Sequence, residues 1–223
     1  AMADRFGHNF MIDQSDERDR INAFNKEKLV EAKKRFRKDM MRARDGLTSK
    51  DVDTFGDQIL EKLKSSPAYV RAGEILLYAS YRNEVPTERI FAYSVSAGKR
   101  VYYPKVENND LVFTRVRDLR ELEIGFKGIP EPPSAGSPAE IRNTRAVIIC
   151  PGLGFGMDGS RIGYGRGYYD RFLSANPDIY KIGVCFEIQF SDTVPHGEED
   201  LPMDEVITEK HSYRMVKPMK DLR

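Results

Sequence analysis

Residues 161 to 172 read RIGYGRGYYDRF. Three glycines, the cations Arg161 and Arg166 and the carboxylate of Asp170 stand together there, where a helix-like run begins. Gly152, Gly154, Gly156 and Gly159 precede them, so much of the backbone between Pro151 and Asp170 lacks Cβ atoms. Bare backbone lets N–H groups approach an anion closely, and the following helix adds its positive N-terminal end. The favoured chemistry is phosphate binding, against the plainer alternative of a long surface loop. Arg161 and Arg166 are suited to charge-assisted hydrogen bonds with phosphate oxygens. Asp170 has two readings: a helix-start carboxylate favoured by the dipole, or a ligand of Mg2+, which takes one or two carboxylates alongside waters and phosphates.

Standard nucleotide loops do not account for this segment. Gly154 and Gly159 have the spacing of a Walker loop, but Ser160-Arg161 replaces its lysine and hydroxyl residue. Gly152-x-Gly154 meets Met157 where the dinucleotide fingerprint needs glycine. A second group of cations lies upstream. From Lys26 to Asp45, Leu29, Ala32, Phe36, Met40 and Ala43 recur at helical spacing, and Gly46 is a stop signal. Lysine and arginine dominate the other faces of this helix. Lys33 and Arg37, four residues apart, project from one face and can converge on one anion; the alternative is a solvated basic surface, which is the reading for Lys34, Arg35 and Lys38.

These residues need a scaffold, and the pattern supplies one. A second helix starts at Thr48 or Ser49 with Asp51 placed for capping. Beyond Gly73, ILLYAS (75 to 80) reads as a buried strand, Pro86 to Gly98 as a helix and RVYYP as the next strand. LVFTRV follows the turn NND, and the proline- and glycine-rich stretch 126 to 138 is loop. AVIIC (146 to 150) is a strand, the glycine segment an extended loop, YYDRFLSA a helix, KIGVCF a strand and EVIT (205 to 208) a last short one. The expected fold is α/β, a three-layer α/β/α arrangement with a mainly parallel, Rossmann-like open sheet that lacks the dinucleotide fingerprint. Ligands of such sheets sit at the carboxyl ends of the strands, where the loop after Cys150 emerges.

Composition fits one domain over residues 26 to 223, with residues 1 to 25 as a mobile or loosely docked extension. The chain has 223 residues, 40% of them hydrophobic and 32% charged, and a formal net charge of +1. No global field points to nucleic acid or membrane. Cys150 and Cys185 sit in apolar runs without a C-x-x-C partner, and His8, His196 and His211 are dispersed, so neither a disulfide scaffold nor a zinc site is expected. A reducing cytoplasm, a monomer and small-molecule partners are the expectation. No apolar run approaches the roughly 20 residues a membrane helix needs, and the N-terminus lacks a signal peptide's hydrophobic segment.

The segment CPGLGFGMDGSRIGYGRGYYDRFL (150 to 173) resembles the 5-formyltetrahydrofolate cyclo-ligase family, also called methenyltetrahydrofolate synthetases. The basic helix with Lys33 and Arg37, NEVPT (83 to 87), FKGIPEP (126 to 132), GVCFEIQ (183 to 189) and DLPMDEVITE (200 to 209) extend the resemblance across nearly the whole core. It implies an ATP- and Mg2+-dependent conversion of 5-formyltetrahydrofolate to 5,10-methenyltetrahydrofolate. Lys33, Arg37 and the loop Arg161, Ile162, Gly163, Tyr164, Gly165, Arg166, Gly167, Tyr168 and Tyr169 would then bind ATP. Asp170 and Asp204 would hold Mg2+, and Arg37, Ala79, Glu84, Phe126 and residues 164 to 168 would border the folate. Arg161 and Arg166 would act in catalysis.

Without the resemblance, Glu84 also reads as a helix-start carboxylate before Pro86, and Asp204 as turn chemistry. Tyr168 ranks ahead of Tyr169 for stacking on a ligand, tyrosines at a helix entrance being often part of the core. Ala79 stands where relatives can carry a larger apolar residue, and Arg166 where glycine or lysine is common. The alternatives are a catalytically inactive nucleotide- or nucleic-acid-binding paralogue and an enzyme for another formylated substrate.

Overall fold

The computed structural model describes residues 14–134, 136, 138–139 and 145–215. Most of the expected N-terminal extension and the last residues of the expected domain lie outside these, as do parts of the proline-rich loop. In chain order come the helices α1 (Gln14–Asp45), α2 (Ser49–Leu63) and α3 (Pro67–Arg71), strand β1 (Glu74–Leu76), α4 (Glu88–Ser96), β2 (Arg100–Glu107) and β3 (Asp110–Val116). The short pair β4 (Glu123–Ile124) and β5 (Pro130–Glu131) precedes β6 (Ala146–Cys150), β7 (Gly154–Gly156) and β8 (Arg161–Ile162). Helix α5 (Tyr168–Ala175), β9 (Tyr180–Val184), β10 (Phe190–Ser191), β11 (Glu205–Ile207) and β12 (Ser212–Arg214) complete the chain.

Seven strands form the main sheet in the order β12-β11-β9-β6-β1-β2-β3. The inner five are parallel, and the edges β3 and β12 pair antiparallel with β2 and β11. The alternation of side chains along the strands separates two cores. Ile75, Leu77, Val147 and Ile149 pack with Ile59 and Leu63 of α2 and Ile90 of α4. Leu76, Ile148 and Cys150 face the other way, with Leu173 of α5 and Val206. Buried on both faces, the strands read as continuous apolar runs. Both cysteines are free and buried. Burial raises the Cys150 thiol pKa to about 12 and lifts that of Cys185 well above its ordinary value.

Several element boundaries differ from the sequence expectation. Helix α1 begins at Gln14 rather than Lys26, although residues 18 to 28 are exposed. A nucleated helix propagates through residues that carry no apolar stripe, so periodicity misses this part. Strand β1 ends at Leu76, and Tyr78 O accepts from Thr87 Oγ1 at 2.7 Å as the chain leaves the sheet. The glycine segment is no plain loop: β7 and β8 pair antiparallel, and β10 joins β7 to make a small second sheet. Helix α2 begins as expected, with Thr48 and Asp51 in a reciprocal capping box. No helix among the described residues is long and apolar enough to cross a membrane.

Candidate active site

The chain runs from β1 through β2 to β3 on one side of the sheet, then returns to place β6 on the other side of β1. At the carboxyl ends of β1 and β6, where this order reverses, Tyr78, Ala79 and Pro151 line a cavity of about 570 Å³. That position is the usual ligand crevice of an open parallel sheet, and the volume is that of a small-molecule site. Its wall takes in Lys33, Arg37, Ala79, Glu84, Phe126 and every residue from Arg161 to Asp170. Among the residues expected from sequence, Asp204 alone is absent from this wall.

Helix α1 packs on the glycine segment. Phe36, Met40 and Met41 cover a small core of Leu153, Ile162 and Val194. A Cβ on Gly154 would stand 2.4 Å from the Phe36 ring, so glycine is what allows this approach. Lys33 and Arg37 thereby turn inward, whereas Lys34, Arg35 and Lys38 are exposed. Arg37 Nε donates to Gly163 O at 2.8 Å, and Lys33 Nζ to Asp200 Oδ2 at 2.5 Å. Burial pushes the Asp200 carboxyl up, but donation from Lys33 and the Gly197 N–H outweighs it and holds the pKa below its ordinary value. Gln189 Nε2 ties down the carbonyls of Gly152 and Leu153 at 3.3 and 2.9 Å.

Arg161 is 6% exposed. Its Nη2 donates to Asp170 Oδ1 at 2.7 Å and its Nη1 to Pro151 O at 3.3 Å. Its buried Nε has no hydrogen-bond partner among the described residues. Helix α5 starts from Gly167 in the left-handed region (φ +68°) and has no side-chain cap. Its leading N–H groups therefore lack a side-chain acceptor, which favours an anion there. Arg166 is exposed, its guanidinium 5.4 Å from the ring centre of half-exposed Phe126 on the β4–β5 connection. Tyr169 packs with the second core and lies under Arg161, while Tyr168 lies under Arg171.

Glu84 does not start a helix. It is 8% exposed and accepts from Tyr164 Oη at 2.5 Å and from the Tyr81 N–H at 2.9 Å. Burial raises its pKa, against the opposing effects of Tyr164, Tyr81 N–H and Arg44. Tyr164 is half exposed, but its hydroxyl lies between buried groups, and burial raises its pKa. Arg44, a cation off the apolar stripe of α1 that the sequence did not single out, is buried and donates to Tyr164 Oη at 2.9 Å. The only signal available was its distance of seven residues from Arg37, two helical turns along the same face.

Of the two expected metal ligands, Asp170 is in the cavity wall and Asp204 is not. Asp170 lines the cavity with its side chain one-third exposed. Asp204 lies between β9 and β11, where it accepts from Lys181 N at 2.8 Å and pairs with Lys181 Nζ at 3.1 Å. No group of three or more His, Cys, Asp or Glu side chains that could hold a metal occurs among the described residues. Asp170, in the cavity wall, fits an ion held mainly by phosphate oxygens; Asp204 is engaged by Lys181.

The chain is similar to proteins of one known family. The model of the 5-formyltetrahydrofolate cyclo-ligase family matches residues 29–209. A probable 5-formyltetrahydrofolate cyclo-ligase of Caenorhabditis elegans is 27% identical over 81% of this chain and 94% of its own length. The 5-formyltetrahydrofolate cyclo-ligase of Mycolicibacterium smegmatis is 36% identical over 68% of this chain and 90% of its own. The NMR structure of Aquifex aeolicus 5,10-methenyltetrahydrofolate synthetase superposes with a TM-score of 0.72 at 28% identity, covering 86% of this chain and 99% of that one.

Proposed function

We propose, from the premise that this chain belongs to the 5-formyltetrahydrofolate cyclo-ligase family, that it uses ATP to cyclise 5-formyltetrahydrofolate to 5,10-methenyltetrahydrofolate, releasing ADP and phosphate. One observation carries the reading: a single cavity holds in its wall both the buried Glu84 carboxylate and the Arg161–Asp170 pair at the start of α5. The first suits the N–H groups of a pterin, the second a triphosphate.

The reaction needs no protein nucleophile. A formamide oxygen is a poor leaving group, so N10 of the folate cannot displace it directly. The formyl oxygen takes the γ-phosphoryl group of ATP, and ADP leaves. N10 then attacks the activated formyl carbon and gives up its proton, and the carbon–oxygen bond breaks, releasing phosphate and closing the ring. The protein's work is alignment and charge neutralisation. Arg161 and Arg166 would meet the transferring phosphoryl group, Lys33 and Arg37 would hold the remaining phosphates, and α5 would offer its N–H groups. Mg2+, held by Asp170 and the phosphates, would supply further neutralisation. Glu84 would orient the pterin, with Ala79 and Tyr168 on its faces and Phe126 across the mouth. The Arg37–Gly163 hydrogen bond couples the α1 cations to the loop, so nucleotide binding and loop order go together.

The test is a spectrophotometric assay for the methenyl chromophore with purified protein, 5-formyltetrahydrofolate, MgATP and an arm without ATP. ATP-dependent appearance of the chromophore is expected. An absence of turnover together with tight, salt-sensitive RNA or DNA binding would replace this reading with that of a binding paralogue.

A further inference from the structure

Arg44 closes the last turn of α1 among exposed basic residues, yet it is 3% exposed. Removing a guanidinium from water costs several kcal/mol unless partners compensate. Its partners are Tyr164 and, through it, Glu84. Nη1 donates to Tyr164 Oη at 2.9 Å and lies 4.0 Å from Glu84 Oε1, and the guanidinium carbon is 5.9 Å from the centre of the Tyr164 ring. Its Nε is buried without a hydrogen-bond partner among the described residues.

The chemistry of the donors gives this chain a direction. A guanidinium has donors only, so the phenol oxygen must accept from Arg44 and turn its own proton toward Glu84 Oε1. The Tyr81 N–H donates to the other carboxylate oxygen. Both contacts use Glu84 as an acceptor and so favour its carboxylate form. We propose that Arg44 is a positioning residue for the folate site, which acts through Tyr164 to hold Glu84 ionised and oriented for the N–H groups of a reduced pterin. This rests on the folate reading given above and deepens it.

The surroundings leave the charge balance to Arg44. The groups facing Glu84 are Tyr78 and Tyr81 from the segment after β1, Tyr164 from the glycine segment, Tyr169 from α5 and Arg44 from α1. Burial raises the pKa values of Tyr78 and Tyr169 well above the ordinary tyrosine value, so both stay neutral. Arg44 is the permanent cation of the group. Loss of its charge removes a force that opposes protonation of a buried carboxylate.

The test compares wild type, Arg44→Met, Arg44→Lys, Tyr164→Phe and Glu84→Gln in steady-state kinetics for each substrate across pH. Arg44→Met and Tyr164→Phe should each raise the KM for 5-formyltetrahydrofolate about tenfold, the scale of one hydrogen bond to a charged group, and in Arg44→Met the KM for ATP should stay nearly unchanged. In Arg44→Met the acid limb of kcat/KM for the folate should move to higher pH, and Arg44→Lys should restore it in part. The inference is overturned by an unmoved acid limb in Arg44→Met, or by both KM values rising together in that variant. Should Arg44→Met not fold, an unchanged folate KM in Tyr164→Phe overturns it, since that ring is half exposed. Impaired Glu84→Gln beside normal Arg44 and Tyr164 variants would sink this inference and leave the folate reading standing. A wild type that forms no chromophore would remove both.

Discussion

Arg161 Nη2 and Asp170 Oδ1 stand 2.7 Å apart, joining β8 to the first turn of α5. The arginine side chain is 4% exposed and the aspartate 33%. The buried cation is thus neutralised by a carboxylate that still faces the cavity. Under the proposed function, triphosphate oxygens would take over as acceptors for Arg161, freeing Asp170 for the metal ion.

Asp170→Asn should sharply weaken MgATP use while leaving the fold nearly intact, because the amide keeps an oxygen for Arg161. Magnesium titrations at fixed ATP are the measurement. Near-normal turnover at limiting magnesium would take Asp170 out of the metal site. Arg161→Met should cost about a hundredfold in kcat, the usual scale for one preorganised donor at a charge-bearing transition state.

Lys33→Ala and Arg37→Ala should each raise the KM for ATP. The larger effect is expected for Arg37, which also holds Gly163 O at 2.8 Å. ATP saturation curves and thermal melts separate the possibilities: a changed melting temperature with unchanged ATP kinetics would make these side chains packing elements only.

Gly165→Ala should destabilise the loop by about 1–3 kcal/mol, the cost of a non-glycine residue in a sparsely populated backbone region. Gly165 has φ +96°, and an added Cβ would sit 3.3 Å from the Arg37 guanidinium carbon. Denaturant unfolding gives the stability cost, and the ATP KM should rise with it. A variant as stable and as active as wild type would rule out this backbone conformation in solution.

Burial raises the Glu84 pKa above its ordinary 4.5. Between 4.5 and the raised value the folded protein therefore holds more protons than the unfolded chain. The contribution of Glu84 to stability is greatest below 4.5 and falls as pH rises through that window. Glu84→Gln cannot ionise, so its melting temperature relative to wild type should improve from acid to neutral pH. Parallel melting curves across that range would contradict the shift.

The parallel sheet was legible because its strands are apolar on both faces and punctuated by turn residues, as AVIIC before the glycine run illustrates. The N-terminal half of α1 was not, because exposed charged residues carry no periodic apolar signal. Lys33 and Arg37 could be paired from their spacing, and their place beside the loop follows from Phe36 seated over Gly154. Arg44 and Asp204 show the limit of such reading. Whether a charged side chain is buried depends on what packs above it, here Tyr164 and Glu84 in one case and Lys181 in the other, all distant in sequence.

Cys150 and Cys185 are enclosed by the two cores, their thiols held protonated far above neutral pH. Maleimide and iodoacetamide reagents attack thiolates, so the folded chain is a nearly silent background for covalent labelling. A cysteine introduced at Phe126 could therefore carry a single fluorophore at the mouth of the cavity, without prior removal of the native pair.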